Sequence, residues 1–501
     1  MVWPLSASYL QKLLSGSMKG KEDANSYKSI LKGTSILGGV QLFQIVVNLI
    51  RVKFVTLFLG PAGMGVSSLF NTSSQTIQQF AGLGLNLAIV KEVAARKNNS
   101  ESLKHAISVA KTIVLITALI GAIVCLIFAV PLSRVTFGND EYEWQFTLLS
   151  LVIFFGVLGQ GYLSILQGMH EVKLISRSTV VGSLTGLLVG VPLYAFFGVK
   201  GIVPAMLILV LSMFITYVLS IRKVLPGFKR NFIWQEHKPL VKKLLVLGLI
   251  LMASEGIGTA CNYLLNLFIR VFGELENVGL YQAANSVTNQ YSGMVFTAMM
   301  LDYFPRLSEA ASDNMKIKEI VNRQLEIVSL IATPLICLLI LSSPLVIDIL
   351  LTSQFKPILE LMRWLGFGVL IKAIMFPLGY IAFAKDNKKL FFWMEGIFLN
   401  FLTLFLSCFF YWKFGLIGLG YSLVIDCIVC LIVYYLINHY LYQYSVNKEA
   451  IKQIGIGLAL GMACFLFSLL EDHILSYSLM GGITLMTVVY SFIVLKKKLR
   501  T

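Results

Sequence analysis

The chain has 501 residues, of which 57% are hydrophobic and 13% are charged, and its mean hydropathy is +0.80. Soluble domains carry about 25% charged residues, so this composition excludes a water-soluble globular protein. The formal net charge is +16, but the basic residues lie in short segments between long apolar runs. Basic residues in such places orient a membrane protein, and we therefore expect no nucleic-acid partner.

Most of the chain consists of apolar runs of 18 or more residues, which predict transmembrane helices. Lipid offers no partner to an unpaired backbone group, so runs of this length must be helical. We predict an all-α polytopic membrane protein with about 14 transmembrane helices. In chain order the predicted spans are about 30–58, 64–92, 106–133, 144–167, 174–197, 201–221, 243–271, 278–305, 321–350, 358–383, 390–412, 416–438, 450–470 and 474–495.

The lysines and arginines between these spans alternate from loop to loop. One side of the membrane receives 28 of them, including those of both termini and of the segment 222–242. The other side receives 4, which are Arg134, Lys200, Lys356 and Lys413. Because the cytoplasmic loops of membrane proteins are the basic ones, both termini are predicted to be cytoplasmic.

The order of the spans predicts two lobes. We expect a cytoplasmic N-terminal segment at 1–29, an N-lobe of spans 1–6 at 30–221, a cytoplasmic inter-lobe loop at 222–242, a C-lobe of spans 7–12 at 243–438, and spans 13 and 14 at 450–495. The lobes look like repeats of equal orientation, as in transporters built from parallel repeats. The matching pairs are Phe197-Gly198 with Phe414-Gly415 at an offset of 217, Lys173 with Lys389 at 216, and Gly65 and Asn71 with Gly279 and Asn285 at 214.

Four spans carry polar residues at helical spacing, on one face of each helix. A set of matching polar faces predicts one aqueous cavity between the lobes. The alternative explanation of these polar residues is that they form hydrogen bonds that hold neighbouring helices together. The stripes are Gln41, Gln44, Asn48 and Arg51 in span 1; Asn71, Gln75 and Gln78 in span 2; Glu255, Thr259, Asn262, Asn266 and Arg270 in span 7; and Gln282, Asn285 and Asn289 in span 8.

Basic residues within spans cost free energy and usually face a cavity, at roughly 2.5–3.5 kcal/mol each on insertion scales. Such residues suit a phosphate or pyrophosphate group, although each one alone is equally consistent with an internal ion pair or an interface anchor. The predicted substrate-binding residues are Arg51, Lys53, Arg270, Lys372, Asn48, Asn262 and Asn266.

Two acids, Glu255 and Asp426, lie in the middle of spans 7 and 12. A carboxyl group in a cavity of low dielectric constant can titrate, so both are candidates for coupling to a proton or cation. A structural pairing with a buried Lys or Arg is the alternative. The histidines and cysteines show no spacing typical of metal ligands, and no phosphate-binding loop occurs. We therefore expect no metal, no cofactor, no catalytic residues and no ATPase module.

The segment Phe58-Leu59-Gly60-Pro61-Ala62-Gly63-Met64-Gly65, followed by Val90-Lys91-Glu92-Val93-Ala94, resembles the O-antigen flippases. These Wzx-type translocases form part of the polysaccharide transporter group of the MOP exporter superfamily. Lys53 falls where flippases of this group carry a lysine, and Arg51 falls where the related peptidoglycan-precursor flippases carry an arginine. Those relatives have an acid after that arginine, whereas Val52 follows it here.

The resemblance implies a multi-pass protein of the bacterial cytoplasmic (inner) membrane, with two six-helix lobes that open alternately to each side. The implied substrate is an undecaprenyl-pyrophosphate-linked oligosaccharide, an O-antigen or a related surface polysaccharide unit. Spans 13 and 14 would form a groove for its lipid tail. The expected partners are this lipid-linked oligosaccharide, membrane lipids, a polysaccharide polymerase and a chain-length regulator.

Two other functions remain open at this point. A drug or cation antiporter of the same superfamily should have a carboxylate-rich N-terminal cavity, and this chain has basic residues there instead. A membrane-embedded polymerase or ligase would need a sizeable outer loop with acid and base residues, but the predicted outer loops have about ten residues or fewer.

Overall fold

The computed structural model describes residues 22–97, 99–226 and 234–498. The described residues are 91% helical and contain no strand. The helices are α1 Glu22–Ala81, α2 Leu85–Ala95, α3 Ser100–Ile127, α4 Ala129–Phe137, α5 Glu143–Gly168, α6 Val172–Phe197, α7 Ile202–Val224, α8 Trp234–Phe272, α9 Leu275–Glu309, α10 Asn314–Leu350, α11 Leu359–Ala384, α12 Lys388–Phe391, α13 Leu399–Phe414, α14 Gly418–Tyr442, α15 Lys448–Phe467 and α16 His473–Lys498.

The prediction of an all-helical polytopic membrane protein is confirmed. Nine helical segments of the described residues are long and apolar enough to cross a membrane, or ten if the bent pair at 238–272 counts as one span. Parts of the predicted segments 1–29 and 222–242 fall outside the described residues, as does Arg500.

Three of these nine segments are interrupted by a turn at a glycine. Gly39–Ala81 contains Gly60, whose φ of 64° and ψ of −170° leave the helical region. A straight helix of that length would measure about 65 Å, roughly twice the hydrocarbon thickness of a bilayer. Val172–Val224 turns at Gly198–Gly201, and Lys388–Tyr442 turns at Gly415–Ile417. The count of fourteen spans stays a prediction.

The chain divides into two compact units between Gly279 and Leu280, and each is described here by itself. The N-terminal unit contains α1 to α8 and the start of α9, and the C-terminal unit contains the rest of α9 and α10 to α16. Helix α8, which corresponds to predicted span 7, therefore belongs to the same unit as the first six predicted spans and packs against α1, α2 and α3. The lobe boundary at 222–242 stays a prediction, because the repeat and the packing define different divisions of the chain.

Within the N-terminal unit, α6 and α7 form an antiparallel hairpin that packs against α5 and α1. Small residues make this close packing possible, as is usual between helices in membranes. A Cβ atom at Gly182 would lie 2.5 Å from the Met213 side chain, and one at Gly186 would lie 2.4 Å from Leu209. The aromatic side chain of Phe70 is fully buried next to Phe137 and Phe146.

In the C-terminal unit, α10 packs against α11, α15 and α16, while α14 packs against α11 and α13. One group of buried side chains joins α10, α11, α14, α15 and α16 and includes Ile336, Leu370 and Met480. A second group includes Tyr303, Val321 and Leu378. These contacts fix predicted spans 13 and 14 to predicted span 9.

Backbone features recur at the offsets of the predicted repeat. Gly198 and Gly415, 217 residues apart, have φ of 54° and 63°. His170 and Asp386, 216 residues apart, have φ of 62° and 55°. At an offset of 214, Asn99 and Asp313 cap the starts of α3 and α10, each accepting two backbone N–H bonds. Matched turns and caps of this kind support the internal repeat.

Candidate functional site

Helix α8 runs through the N-terminal unit and carries the predicted polar stripe of span 7. Near its start, Lys243 forms an ion pair of 2.9 Å with the buried carboxylate of Glu92 at the end of α2. Further along α8, Gly248 lies against Gly84. A Cβ atom added at Gly248 would lie 2.4 Å from Leu83 O. These contacts fix the first turns of α8 beside α2.

The other end of α8 lies beside three turns of the same unit. A Cβ atom at Gly63, next to the turn at Gly60, would lie 3.7 Å from Val199, in the turn between α6 and α7. A Cβ atom at Gly279 would lie 1.8 Å from Pro61 O, just after the junction of α8 and α9. Arg270 reaches the last turn of α4. We call this end of the N-terminal unit, with its turns at 60, 198–201 and 273–274, the turn end.

Arg270 is the most constrained of the predicted substrate-binding residues. Its Nη2 donates a hydrogen bond of 2.7 Å to the carbonyl oxygen of Val135, and its Nη1 would lie 2.8 Å from a Cβ atom at Gly138. Its Nε is buried and has no hydrogen-bond partner. No carboxylate of the described residues pairs with this guanidinium. Donors in this state suit an external anion.

The three predicted residues of α1 lie on the approach to the same end. Arg51 is half-buried and lies near the Tyr194 side chain, four residues before the turn at 198–201. Lys53 is half-buried and Asn48 is exposed. The structure thus places the side chains of span 1 and Arg270 of span 7 in one unit. That they form one cationic site stays a prediction.

The two predicted asparagines of α8 differ in their surroundings. Asn262 is exposed, and its backbone carbonyl oxygen accepts a hydrogen bond of 3.0 Å from the side-chain Nδ2 of Asn266. Asn266 is fully buried, and its Oδ1 has no partner among the described residues. The amide of Asn262 is therefore accessible, whereas that of Asn266 is enclosed by the packing of α8, and the substrate contact of both stays a prediction.

Glu255 lies in the middle of α8 and accepts a hydrogen bond of 3.0 Å from Nε2 of Gln79. No Lys or Arg of the described residues pairs with it. The hydroxyl of Thr76 lies 3.5 Å from the carbonyl oxygen of Thr259, one turn further along α8. The hydrogen bonds between spans 2 and 7 in the middle of α8 thus involve Gln79 and Thr76 rather than the predicted stripe of span 2.

Lys372 and Asp426 lie in the C-terminal unit, in a group that the sequence did not indicate. Lys372 is within electrostatic range of both Asp426 and Glu395. Asp426 accepts a hydrogen bond of 2.9 Å from Thr403, and the buried Tyr434 hydroxyl donates to Glu395. Lys372 forms no ion pair within 4.0 Å among the described residues, and its contact with substrate stays a prediction.

The position of Glu395 depends on an irregular turn. Residues Phe392–Phe398 form a π-helical segment between α12 and α13, and such segments occur frequently at functional sites. Nδ2 of Asn400 donates to the carbonyl oxygens of Glu395 and Gly396 at 2.8 and 3.0 Å. Sequence periodicity could not find Glu395, because a π-turn shifts the helical register by one residue. No group of three metal-ligating side chains occurs in the described residues.

Residues 54–360, more than half of the chain, match the family described as "Polysaccharide biosynthesis protein". The chain belongs to this polysaccharide biosynthesis protein family. The match covers Arg270 and Glu255 and ends before Lys372, so it includes most of the N-terminal unit. The resemblance inferred from the sequence motifs is therefore confirmed at the level of the family.

Among curated proteins, this member of the polysaccharide biosynthesis protein family is 22% identical to the "Lipid III flippase" of Escherichia coli (strain K12) over 367 residues. The match covers 72% of this chain and 86% of the relative. The lipid III flippase of Shigella flexneri matches with the same identity and coverage. These relatives are flippases by name, which agrees with the prediction that the chain is not an enzyme.

Solved structures show that this family member has the MOP transporter fold. A structure titled "Lipid II flippase MurJ, inward closed conformation" aligns with a TM-score of 0.71 and 15% identity, covering 94% of this chain and all of the other. An inward-facing multidrug resistance MATE transporter of the MOP superfamily aligns with a TM-score of 0.66 and 19% identity, covering 81% of this chain and 98% of the other. At these identities the likeness concerns the fold.

Proposed function

We propose that this chain is a flippase that moves an undecaprenyl-pyrophosphate-linked oligosaccharide from the cytoplasmic to the periplasmic leaflet by alternating access. The proposed cargo is an O-antigen or related surface polysaccharide unit. Curated relatives of the chain are named lipid III flippases, and the family to which the chain belongs is described as polysaccharide biosynthesis proteins. The polyprenyl tail stays in lipid while the charged headgroup crosses.

The observation that carries this proposal is the state of Arg270. A half-buried guanidinium with a buried, unpartnered Nε and no carboxylate partner among the described residues is costly in a membrane protein, unless a ligand supplies the missing acceptors. A pyrophosphate offers several charged oxygens to a planar guanidinium. Arg51, Lys53, Asn48 and Asn262 would complete the binding of the headgroup and the first sugars.

The charge of the N-terminal unit also separates this proposal from a cation antiporter. An antiporter that takes up cationic drugs would need carboxylates where Arg51 and Arg270 lie. Glu255, the acid in the middle of α8, is hydrogen-bonded to the neutral amide of Gln79. It can therefore gain or lose a proton without breaking an ion pair with a described residue. We propose Glu255 as the coupling group and treat Asp426, next to Lys372, as the weaker candidate.

The test is a flipping assay in vesicles that contain the purified chain. The probe is a fluorescent undecaprenyl-pyrophosphate-linked oligosaccharide, and protection from an impermeant quencher reports its leaflet. We expect faster movement than in protein-free vesicles, and no acceleration for a matched lipid-linked oligosaccharide that lacks the pyrophosphate. Equal movement with and without protein, together with proton-driven uptake of a cationic dye, would show an antiporter instead.

A further inference from the structure

The start of α15 and the end of α16 lie together at one end of the C-terminal unit. The two helices pack against each other, with the Tyr490 hydroxyl donating a hydrogen bond of 2.8 Å to Oε1 of Gln453. Lys498, at the end of α16, forms an ion pair with the buried Glu326 of α10. Glu449, in the first turn of α15, interacts electrostatically with Lys497 and Lys498.

Five lysines surround this meeting point, and we call them the lysine cluster: Lys448, Lys452, Lys496, Lys497 and Lys498. All but Lys498 are exposed. Among the described residues, two acids interact with the cluster: Glu449, which also accepts a hydrogen bond of 3.0 Å from Gln453, and Glu326. Within this part of the chain, five ammonium groups and two carboxylates sum to three positive charges.

An apolar surface adjoins the lysine cluster on the same two helices. Ile451 of α15 and Phe492 and Ile493 of α16 are 57%, 66% and 58% exposed. The Lys496 ammonium lies 6.0 Å from the centre of the Phe492 ring, so the charged and apolar surfaces are within one helical turn of each other. In a protein that spans a membrane, such apolar side chains face acyl chains.

We propose that the lysine cluster binds the headgroup of an anionic phospholipid, whose acyl chains lie along the apolar surface of α15 and α16. The charge of the cluster is complementary to a phosphate that carries no compensating amine. Juxtamembrane groups of four or more basic residues attract anionic lipids in this way. A zwitterionic headgroup brings its own positive charge and would gain little. The bound lipid would hold α15 and α16 together where α10 already contacts both.

The test measures lipid binding to the purified full chain in detergent, by native mass spectrometry and by the lipid-induced rise in thermal stability. Phosphatidylglycerol and phosphatidylcholine with identical acyl chains are the probes. The triple variant Lys452→Gln, Lys496→Gln, Lys497→Gln removes three charges from the cluster. The matched control Lys97→Gln, Lys223→Gln, Lys389→Gln removes three charges from exposed sites elsewhere.

We expect phosphatidylglycerol to bind the unaltered chain and the control variant more tightly than phosphatidylcholine does. In the cluster variant its apparent affinity should fall roughly 100-fold, since each of the three lysines near a membrane surface contributes roughly fivefold. Glu449→Gln removes an acid from the cluster and should change the affinity in the opposite direction. This second variant keeps the proposal testable if the triple variant does not fold.

Three results would overturn the proposal. Equal binding of both lipids would show that the cluster does not select anions. Equal losses in the cluster and control variants would show a general effect of net charge. Binding of undecaprenyl pyrophosphate at the cluster without binding of phosphatidylglycerol would assign the surface to a polyprenyl carrier rather than to bulk phospholipid.

Discussion

Arg270 and Arg134 lie near the same turn of the N-terminal unit and differ in their surroundings. Arg134 is exposed and forms an ion pair of 2.6 Å with Asp140, and this hydrogen bond lowers the pKa of the Asp140 carboxyl. Arg270 is half-buried and donates to a backbone oxygen while its Nε has no partner. Exposed ion pairs contribute little to stability, whereas a desolvated guanidinium can contribute strongly to binding an anion.

We expect Arg270→Ala and Arg51→Ala each to reduce flipping by roughly one to two decades. Removing a charged donor from a desolvated phosphate contact costs about 1.5–3 kcal/mol of binding. The measurement is the initial flipping rate in vesicles at matched protein content. Arg134→Ala is the control, since it removes an arginine from the same region without removing a buried donor. Unchanged rates in both the Arg270→Ala and the Arg51→Ala variant would leave those residues with a structural role alone.

Glu255 and Asp426 should respond differently to neutralisation. Glu255→Gln keeps the hydrogen bond with Gln79 but removes the titrating group, so we expect flipping to persist with a weaker response to pH. Asp426→Asn removes the negative charge beside Lys372 and should lower protein stability instead. Flipping rates across a pH series and melting curves of both variants distinguish these effects. A full pH response in Glu255→Gln would remove this residue from the coupling mechanism.

At the level of helices, α8 is fixed in the N-terminal unit by contacts between glycines. A Cβ atom at Gly65 would lie 1.9 Å from Leu275 O, and one at Gly279 would lie 1.8 Å from Pro61 O. Both obstacles are backbone atoms, which cannot rotate away as a side chain can. The junction of α8 and α9 therefore depends on the absence of side chains at these two positions.

We expect Gly65→Ala or Gly279→Ala to destabilise the protein by about 1–3 kcal/mol, the usual cost of overpacking. The matched control is Gly455→Ala in α15, where a new Cβ atom meets nothing within 4 Å. There the higher helix propensity of alanine should leave the apparent Tm unchanged or raised. Thermal unfolding in detergent compares the three variants. Similar melting curves for all three would mean that the close approach at α8 and α9 is not rigid.

For the molecule as a whole, the loop charges predict that both termini and the 222–242 loop are cytoplasmic. An impermeant maleimide added to intact cells should label Asn139→Cys but not Lys389→Cys or Arg230→Cys, of which residue 230 lies outside the described residues. The native cysteines should add little labelling, because six of the seven are buried and Cys408 is half-buried. The reverse pattern of labelling would invert the predicted topology.

The source of energy is also a property of the whole molecule. Because the sequence shows no phosphate-binding loop, we expect an ion gradient, the membrane potential or the gradient of the cargo to drive the proposed flipping. A potential of 100 mV contributes about 2.3 kcal/mol per charge, and an inside-negative potential favours the export of an anion. We expect flipping in vesicles to slow when ionophores collapse the potential. An unchanged rate after collapse of both the potential and the pH gradient would indicate a passive facilitator.

The sequence alone determined the all-helical membrane architecture, the family and the polar stripe of α8. These features depend on local physics, because each helix satisfies its own backbone in lipid and its polar spacing is visible within one span. Tertiary structure decided that α8 packs with α1 and α2, and that Lys372 lies beside Asp426 and Glu395. Such pairings join residues that are far apart in the chain and depend on glycine contacts and on a π-turn. Helical periodicity contains no information about either.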